Sequence, residues 1–314
     1  AEAIVKAARE FGKPIVAAFM GGPRTQEGFR YLMDHRIPAY HFPERAVSAM
    51  DALYRQRMWV ESPQGEVPVF NVDRKAVAAR FKEARASGHL QLGEQEAREV
   101  IAAYGFRLPS SVLCPTADEA VAAAVKIGFP IVMKISSPDI LHKSDVGGVK
   151  VGLQNEKEVR EAFAAMMENV RRKMPKADIR GVLIQQMVKG GRETILGMTK
   201  DPQFGPMIMF GLGGIYVEVL KDVSFRIAPL TRADAETMVS EIRSIALLKG
   251  VRGQAPADLD AVVDGLLRLS QLASDFPEIV EIDLNPFLAF ARGEGAMAVD
   301  ARIVLKSNEP PAAH

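Results

Sequence analysis

The sequence contains a single cysteine, Cys114, among its 314 residues. One cysteine cannot form a disulfide within the chain, so we expect a cytoplasmic protein in which Cys114 is a small buried apolar residue. The chain also lacks an excess of charge of either sign, with 40 Lys and Arg against 39 Asp and Glu. This balance argues against nucleic acid or an acidic membrane surface as a partner.

Long apolar runs are absent as well. No run approaches the roughly 20 residues that a membrane-spanning helix needs, and the longest candidate, Met207 to Leu220, is interrupted by three glycines and Glu218. The first eleven residues are amphipathic and charged, unlike a signal peptide. With 48% hydrophobic and 25% charged residues, the composition is that of a globular protein with a sizeable core.

Short apolar runs alternate with amphipathic segments over residues 1–59. Pro14 to Met20 and Ile37 to Tyr40 are predicted to be buried strands, with helices before, between and after them. This alternation is typical of a doubly wound α/β sheet, but two strands do not make a stable sheet. We therefore expect residues 1–59 to be the C-terminal part of a larger domain, or to be completed by a partner chain.

Residues 60–89 are predicted to be a linker and a charged helix, because prolines and a glycine interrupt the first half. Helices and strands then alternate over residues 90–305, without an internal repeat. The tail, residues 306–314, is polar and Pro-rich, and we expect it to be disordered. The strands predicted after residue 90 are 111–114, 130–135, 149–152, 181–187, 193–199, 207–210, 279–284 and 296–299.

Lys134 lies near the end of one apolar strand, and a polar segment ending in two glycines, residues 136–148, follows it. Glycines allow backbone amides to approach an anion, so a lysine beside such a segment suits a polyphosphate. The segment is not a P-loop, since GxxxxGK[ST] is missing. The ordinary alternative is a strand-end lysine that reaches into solvent. Within the segment, His142 could contact phosphate, accept a phosphoryl group transiently or be a simple polar loop residue.

Two further segments carry candidate ligand contacts. Residues 182–188 are apolar and precede a polar turn, which could present backbone groups and apolar walls to a purine. Glu193 begins the next strand, where it could accept from ribose hydroxyls or be a solvated charge. Asp283 and Asn285 are two positions apart and so share one face of an extended segment, and Asp300 lies on the last predicted strand. Hard oxygen ligands on neighbouring strands suit Mg²⁺, although a lone Asp-x-Asn often has no such role.

Four stretches together resemble one known family. They are VMKISSPDILHKSDVGGVKVG, VLIQQMVKGGRETILGM, DPQFGPMIMFGLGGIYVEVLKDVSFRIAPL and EIDLNPFLAF. The region that contains them resembles the ATP-grasp domain of ADP-forming acetate–CoA ligases, relatives of succinyl-CoA synthetase. The opening, PIVAAFMGG to IPAYHFPERAV, resembles the end of the flavodoxin-like CoA-ligase module that precedes ATP-grasp in fused members. The resemblance implies an α/β chain, with a partial flavodoxin-like segment at 1–59 and an ATP-grasp domain of two α+β subdomains at 90–305.

The resemblance also implies a role for each candidate residue, with ATP or ADP and Mg²⁺ as ligands. The implied nucleotide contacts are Lys134, Lys143 and Ser144 at the phosphates, Gln185 and Val188 at adenine, and Glu193 at the ribose. The implied Mg²⁺ ligands are Asn285 and Asp300, assisted by Asp283. His142 is implied as a second phosphoryl carrier.

The family reaction converts acyl-CoA, ADP and phosphate into acid, CoA and ATP. It needs a CoA-binding domain and a phosphorylated histidine in the preceding module, both expected upstream of Ala1. CoA and a small carboxylic acid would therefore bind through domains absent from this chain, and an oligomer or a partner subunit is expected. Three alternatives remain: the ligase-like regulatory region of a protein-lysine acetyltransferase, a carboxylate–amine ligase of the same fold, and a non-catalytic assembly subunit.

Overall fold

The computed structural model describes residues 1–61, 65–88, 90–140, 143–214, 221–251 and 253–307. The chain divides into two compact units, Ala1–Gln64 and Gly65–His314. None of the helices within the described ranges is long and apolar enough to cross a membrane.

The first unit alternates helices with two very short strands. Parallel pairing joins Ala17 to Ala39 and Ala18 to Tyr40, and a small core including Val5 and Leu32 lies beside the strands. Pairing covers only two residues of each predicted strand, because a strand extends only where a neighbour accepts its hydrogen bonds. The elements are α1 Glu2–Phe11, β1 Ala17–Ala18, a 3₁₀ turn Gly22–Thr25, α2 Gln26–Asp34, β2 Ala39–Tyr40 and α3 Pro43–Glu61.

The second unit begins with an extended segment that lies on a later helix, α10 (Leu259–Asp275). The Phe70 amide donates to Gln271 Oε1 at 2.7 Å, and Gln271 Nε2 donates back to the Phe70 carbonyl at 3.1 Å. The guanidinium of Arg268 stacks on the Phe70 ring at 4.2 Å. This part of the predicted linker is therefore attached to the helix by backbone, side-chain and ring contacts. Helices α4 (Arg74–Ala86) and α5 (Glu94–Ala103) follow it.

An antiparallel sheet of four strands forms the first half of the second unit, in the order β3-β6-β4-β5. Helices α6 and α7 pack on it, and their apolar faces share a core with alternate residues of the central strands, including Met133, Ile135 and Ile184. The elements are β3 Ser111–Cys114, α6 Ala117–Ile127, β4 Ile131–Ser136, β5 Val149–Leu153, α7 Glu156–Lys173 and β6 Gly181–Gln186.

A second sheet, of six strands, runs β11-β10-β7-β8-β9, and β12 also pairs with β10. Helix α10 packs against β7, β8 and β10. Gly265 permits this close approach, because a Cβ there would lie 2.9 Å from the Phe287 ring. The elements are β7 Arg192–Asp201, β8 Gly205–Leu212, β9 Val223–Ile227, α8 Arg232–Glu241, α9 Ile245–Lys249, α10, β10 Ile279–Ala289, β11 Ala296–Ala298 and β12 Arg302–Leu305.

The two sheets have separate hydrophobic cores. The core of the six-stranded sheet also takes in α4 and α5, which precede the four-stranded sheet in sequence. Two α+β halves, each with its own core, are the architecture that the resemblance to ATP-grasp proteins implied, so the predicted fold class is confirmed.

Candidate active site between the two sheets

Lys134 lies on β4, a central strand of the four-stranded sheet, and its side chain is only 9% exposed. Its Nζ donates to Glu94 Oε1 at 2.9 Å and to Asp300 Oδ2 at 3.1 Å. Burial lowers the pKa of Lys134, but the negative charges of Asp300 and Glu94 raise it by more than burial lowers it. The pKa of Lys134 therefore lies above its usual value. The alternative of a lysine that reaches into solvent is therefore wrong, and Lys134 is a buried cation held by two carboxylates.

Glu94 was not among the residues expected at the site. It is the first residue of α5, its side chain is 4% exposed, and its Oε2 lies 2.9 Å from Lys143 Nζ. Burial raises the pKa of Glu94, but Lys134 and Lys143 lower it below its ordinary value by charge and hydrogen bonding. Because 40 residues separate Glu94 from Lys134, no local spacing pattern connects them. A glutamate directly after Gly93 at a helix start was the only available indication.

A cavity of about 420 Å³ opens beside these ion pairs. We call it the charged cavity, because the six-stranded sheet, the segment after β4 and the start of α5 contribute ionisable side chains to its wall. It brings together Lys143 with all three predicted metal ligands, whereas Ser144 is exposed and does not line it. The residues of its wall are Gln91, Leu92, Gly93, Glu94, Ser137, Pro138, Ile140, Lys143, Asp283, Asn285, Asp300, Ala301 and Arg302.

The predicted metal ligands come from β10 and from the segment before β12. Asp283 lies opposite Arg302 across the β10–β12 pair, and Asn285 is two residues further along β10. Burial raises the pKa of Asp283, Arg302 lowers it, and the charges of Glu281 and Asp300 raise it again, leaving it above its usual value. Burial is the main cause of this raised pKa, and the neighbouring carboxylates add to it.

The described ranges contain no group of three or more His, Cys, Asp or Glu side chains arranged to hold a metal. Two carboxylates and one amide oxygen nevertheless suit Mg²⁺, which usually takes one or two carboxylates and completes its coordination with water and substrate phosphate. The residues present therefore fit Mg²⁺ bound together with a phosphate better than a metal bound by the protein alone.

A second cavity, of about 390 Å³, contains the residues predicted to contact adenine and ribose. We call it the apolar cavity. Gln185 is 1% exposed, and its Nε2 donates to the Val299 carbonyl at 3.4 Å, while its Oε1 is buried without a hydrogen-bond partner within the described chain. The residues of its wall are Val132, Val151, Gln185, Gln186, Met187, Val188, Gly190, Gly191, Glu193, Pro286, Leu288 and Val299.

The two cavities are neighbours. Asn285 and Pro286 are consecutive, as are Asp300 and Val299, and one member of each pair lines each cavity. The structure thus brings Lys143 and the predicted metal ligands to one side of this boundary and the predicted purine and ribose residues to the other. Lys134 does not line the charged cavity itself but contacts Glu94 and Asp300 of its wall.

The polar segment after β4 differs in part from the prediction. Residues Lys143–Val146 form a 3₁₀ turn, in which the amide of Gly147 donates to the Ser144 carbonyl at 3.0 Å and that of Gly148 to the Lys143 carbonyl at 2.7 Å. The expected anion-binding role of these amides is therefore wrong, since both are used within the turn. Gly148 is needed for packing, because a Cβ there would lie 2.9 Å from the Lys143 carbonyl oxygen. His142 lies outside the described residues.

Residues 83–305 match the model of the ATP-grasp domain family. The ADP-forming 4-hydroxybutyrate–CoA ligase of Nitrosopumilus maritimus is 45% identical over 305 residues, covering 97% of this chain and 44% of the relative. The beta subunit of ADP-forming acetate–CoA ligase I from Pyrococcus furiosus is 47% identical over 234 residues, covering 74% of this chain and all of the subunit. This chain therefore spans less than half of the first relative but aligns with the entire length of the second.

Solved structures of dinucleotide-forming acetyl-coenzyme A synthetase 1 from Candidatus Korarchaeum cryptofilum are also similar. The complex with coenzyme A, Ca-AMPCP and HgCl⁺ is 46% identical with a TM-score of 0.70, covering 72% of this chain and 98% of that chain. The complex with coenzyme A and Mg-AMPPCP is 43% identical with a TM-score of 0.65, covering 73% of this chain and 100% of that chain. The chain belongs to the ATP-grasp family and, within it, to the ADP-forming acyl-CoA ligases.

Proposed function

We propose that this chain is the nucleotide-binding part of an ADP-forming acyl-CoA synthetase, and that it transfers phosphate between a phosphohistidine and ADP. The observation that carries the proposal is the buried Lys134, held by Glu94 and Asp300 beside the charged cavity. A buried ion pair adds little stability, because taking both charges out of water is costly, so a lysine kept in this position beside the charged cavity is best explained by an anionic ligand.

Lys134 and Lys143 are the proposed contacts of the phosphates, with Ser144 on the exposed turn beside Lys143. Asp300 and Asn285, assisted by Asp283, are the proposed Mg²⁺ ligands. Bound Mg²⁺ would neutralise phosphate charge during the transfer. The side chains of this protein contribute by fixing the position of the phosphates and by balancing their charge, which are the main tasks in phosphoryl transfer.

Adenine is proposed to occupy the apolar cavity, against Val188 and beside Gln185. Among the described residues, Gln185 Oε1 has no hydrogen-bond donor, and this supports the proposal, because a buried acceptor without a donor costs free energy that a ligand N–H would recover. Glu193, exposed at the rim of the same cavity, is the proposed partner of the ribose hydroxyls.

His142 is the proposed phosphoryl carrier of this chain. In the transfer to ADP, the bond between the histidine nitrogen and phosphorus breaks while a bond from a β-phosphate oxygen of ADP to phosphorus forms. In the Korarchaeum complex with coenzyme A and Mg-AMPPCP, a phosphohistidine segment points towards the nucleotide-binding site. That arrangement in a similar protein supports a comparable transfer here.

The remaining parts of the proposal concern the complete enzyme. Residues 1–59 are proposed to be the end of a flavodoxin-like CoA-ligase domain, and residues 90–305 the ATP-grasp domain. CoA and a small carboxylic acid would bind outside this chain, either in a fused region or in a partner subunit. The existence of a separate beta subunit in Pyrococcus furiosus supports the second arrangement. A cytosolic setting belongs to the same proposal.

The test is a calorimetric titration of ADP with Mg²⁺ into the wild type and Lys134→Met. Loss of one charged hydrogen bond to phosphate should weaken binding by roughly 10- to 100-fold. Lys150→Met, on the exposed face of β5, is the matched control and should bind as the wild type does. If the wild type does not bind ADP, or if Lys134→Met binds it equally well and remains folded, the proposed function is wrong.

A further inference from the structure

Glu94 contacts both proposed phosphate-binding lysines at once. Lys134 Nζ lies 2.9 Å from Oε1 and Lys143 Nζ lies 2.9 Å from Oε2, so each carboxylate oxygen takes one ammonium group. The two lysines come from different elements, β4 and the 3₁₀ turn that follows it. Glu94 is thus the one described side chain that ion-pairs with both of them.

The backbone around Glu94 is itself fixed to the six-stranded sheet. The Leu92 amide donates to the Ile303 carbonyl on β12 at 3.0 Å. One turn further along α5, Arg98 donates to the Pro109 carbonyl and, at 3.4 Å, to the carbonyl of Val299. The carboxylate of Glu94 therefore projects from one half of the ATP-grasp domain to hold two cations of the other half.

The number of available protons leaves room for a ligand. An ammonium group has three protons. Lys134 gives one to Glu94 and one to Asp300, whereas Lys143 is joined to Glu94 as an ion pair. If Asp300 turns to Mg²⁺ when nucleotide binds, Glu94 is the carboxylate that stays with Lys134. It would keep that ammonium group in place while the freed protons meet phosphate oxygens.

We propose that Glu94 is a positioning residue that sets Lys134 and Lys143 at the spacing needed for the phosphates of the nucleotide. This inference rests on the proposed function and deepens it. Glu94 lines the charged cavity, where the phosphates are proposed to bind, and not the apolar cavity. Its loss should weaken binding of the phosphates and leave binding of the nucleoside unchanged.

The alternative is a purely structural role, since a carboxylate at a helix N-terminus is stabilising by itself. In that case replacement of Glu94 would lower thermal stability, with equal effects on every ligand or on none. The two roles are therefore separated by comparing ADP with adenosine, which lacks phosphate.

The experiment measures binding of ADP with Mg²⁺ by calorimetry and of adenosine by ligand-observed NMR, using the whole chain. Glu94→Gln keeps the shape and removes the charge, and we expect ADP affinity to fall about tenfold, or about 1.4 kcal/mol, with adenosine affinity unchanged. Glu94→Asp keeps the charge but is one methylene shorter, so its ADP affinity should lie between those of the wild type and Glu94→Gln. Glu99→Gln removes a half-buried glutamate of the same helix, paired with Arg80, and should match the wild type.

Equal loss of ADP and adenosine binding in Glu94→Gln, or no loss of either, would overturn the inference. These outcomes differ from failure of the proposed function, in which the wild type itself does not bind ADP. Melting temperatures identify any variant that has unfolded. If Glu94→Gln does not fold, the comparison of ADP with adenosine in Glu94→Asp distinguishes the two roles.

Discussion

Asp300 is shared between Lys134 and the proposed Mg²⁺ site. Its Oδ2 lies 3.1 Å from Lys134 Nζ, and its Oδ1 accepts from the Ala301 amide at 2.9 Å. An incoming Mg²⁺ would replace Lys134 as the partner of Asp300, and an incoming phosphate would replace Asp300 as the partner of Lys134. Binding of the metal and binding of the phosphate should therefore favour each other.

Asp300→Asn tests this coupling. The amide can still hydrogen-bond but no longer carries the charge that attracts Mg²⁺, so we expect the gain in ADP affinity caused by Mg²⁺ to fall towards none. The measurement is the ratio of ADP dissociation constants with EDTA and with Mg²⁺, in wild type and variant. Asp260→Asn, at an exposed position of α10, is the control. An unchanged ratio in Asp300→Asn would show that Asp300 does not bind the metal.

The sequence indicated candidate site residues one at a time, but not the contacts between them. Lys134, Asn285 and Asp300 could be chosen because each stands in a recognisable local pattern and because the family resemblance implies a role for each. Glu94 could not, since its partner Lys134 is 40 positions away and only folding brings them together. The glycines at 147–148 were misinterpreted for a related reason. Sequence shows that an amide can approach an anion, but not that the turn already uses it.

Asp258 illustrates how one side chain joins two elements. It caps α10 by accepting from the Ala261 amide at 3.1 Å, and its other oxygen accepts from the amides of Gly293 and Gly295 at 2.9 Å each. The same carboxylate thus holds the start of the long helix against the turn between β10 and β11. That turn positions the C-terminal part of the six-stranded sheet, from which Asp300 projects.

Asp258→Ala should lower the free energy of unfolding by about 2–4 kcal/mol, because it removes a helix cap and leaves two further amides without partners. Asp73→Ala is the matched control. Asp73 caps α4 through the Ala76 amide alone, at an exposed position, and its loss should cost about 1 kcal/mol. Denaturant unfolding measures both values. Equal losses would contradict the proposed double role of Asp258.

The same contacts set a pH dependence. Burial raises the pKa of Asp258, but hydrogen bonds from the amides of Gly295, Ala261 and Gly293 lower it by more than burial raises it. The pKa of Asp258 in the folded state therefore lies below its value in the unfolded chain, which is about 3.9. Asp258 therefore stabilises the fold fully above about pH 4, and this contribution is lost as the pH falls through the folded-state pKa. Asp258→Asn should make stability, measured by denaturant unfolding between about pH 2 and pH 5, less dependent on pH. An unchanged pH dependence would contradict this assignment.

Elements were predictable where their apolar pattern is regular and long. The apolar pattern predicts helices at 117–126, 156–172 and 259–274, and helices α6, α7 and α10 agree with these ranges to within one residue at each end. Strand β3 has the predicted bounds, 111–114. Strand β10 was expected to stop at 284 but continues to Ala289, with a register shift between Leu284 and Phe287 that accommodates Pro286. Strands β9 and β12 were missed, since each is an edge strand of four or five residues and exists only through its pairing partner.

At the scale of the molecule, the second unit has two sheets, two cores and a pair of neighbouring cavities lined by both halves. Its overall architecture could be predicted from the family resemblance and not from periodicity, which gives elements but not their order in a sheet. Residues 1–59 are proposed to belong to a flavodoxin-like CoA-ligase domain. The exposed apolar side chains of α3, including Val47, Met50, Tyr54 and Met58, support that proposal, because such a stripe normally packs against another surface.

The central claim is that the two neighbouring cavities form one nucleotide site. It is tested most directly by a crystal structure of this chain with Mg²⁺ and AMPPCP, whose β–γ bridge resists hydrolysis. We predict adenine in the apolar cavity beside Gln185, phosphate oxygens within hydrogen-bond distance of Lys134 Nζ, and Mg²⁺ on Asp300. A nucleotide bound elsewhere, or bound with Lys134 still paired to Asp300 and remote from every phosphate, would contradict the account.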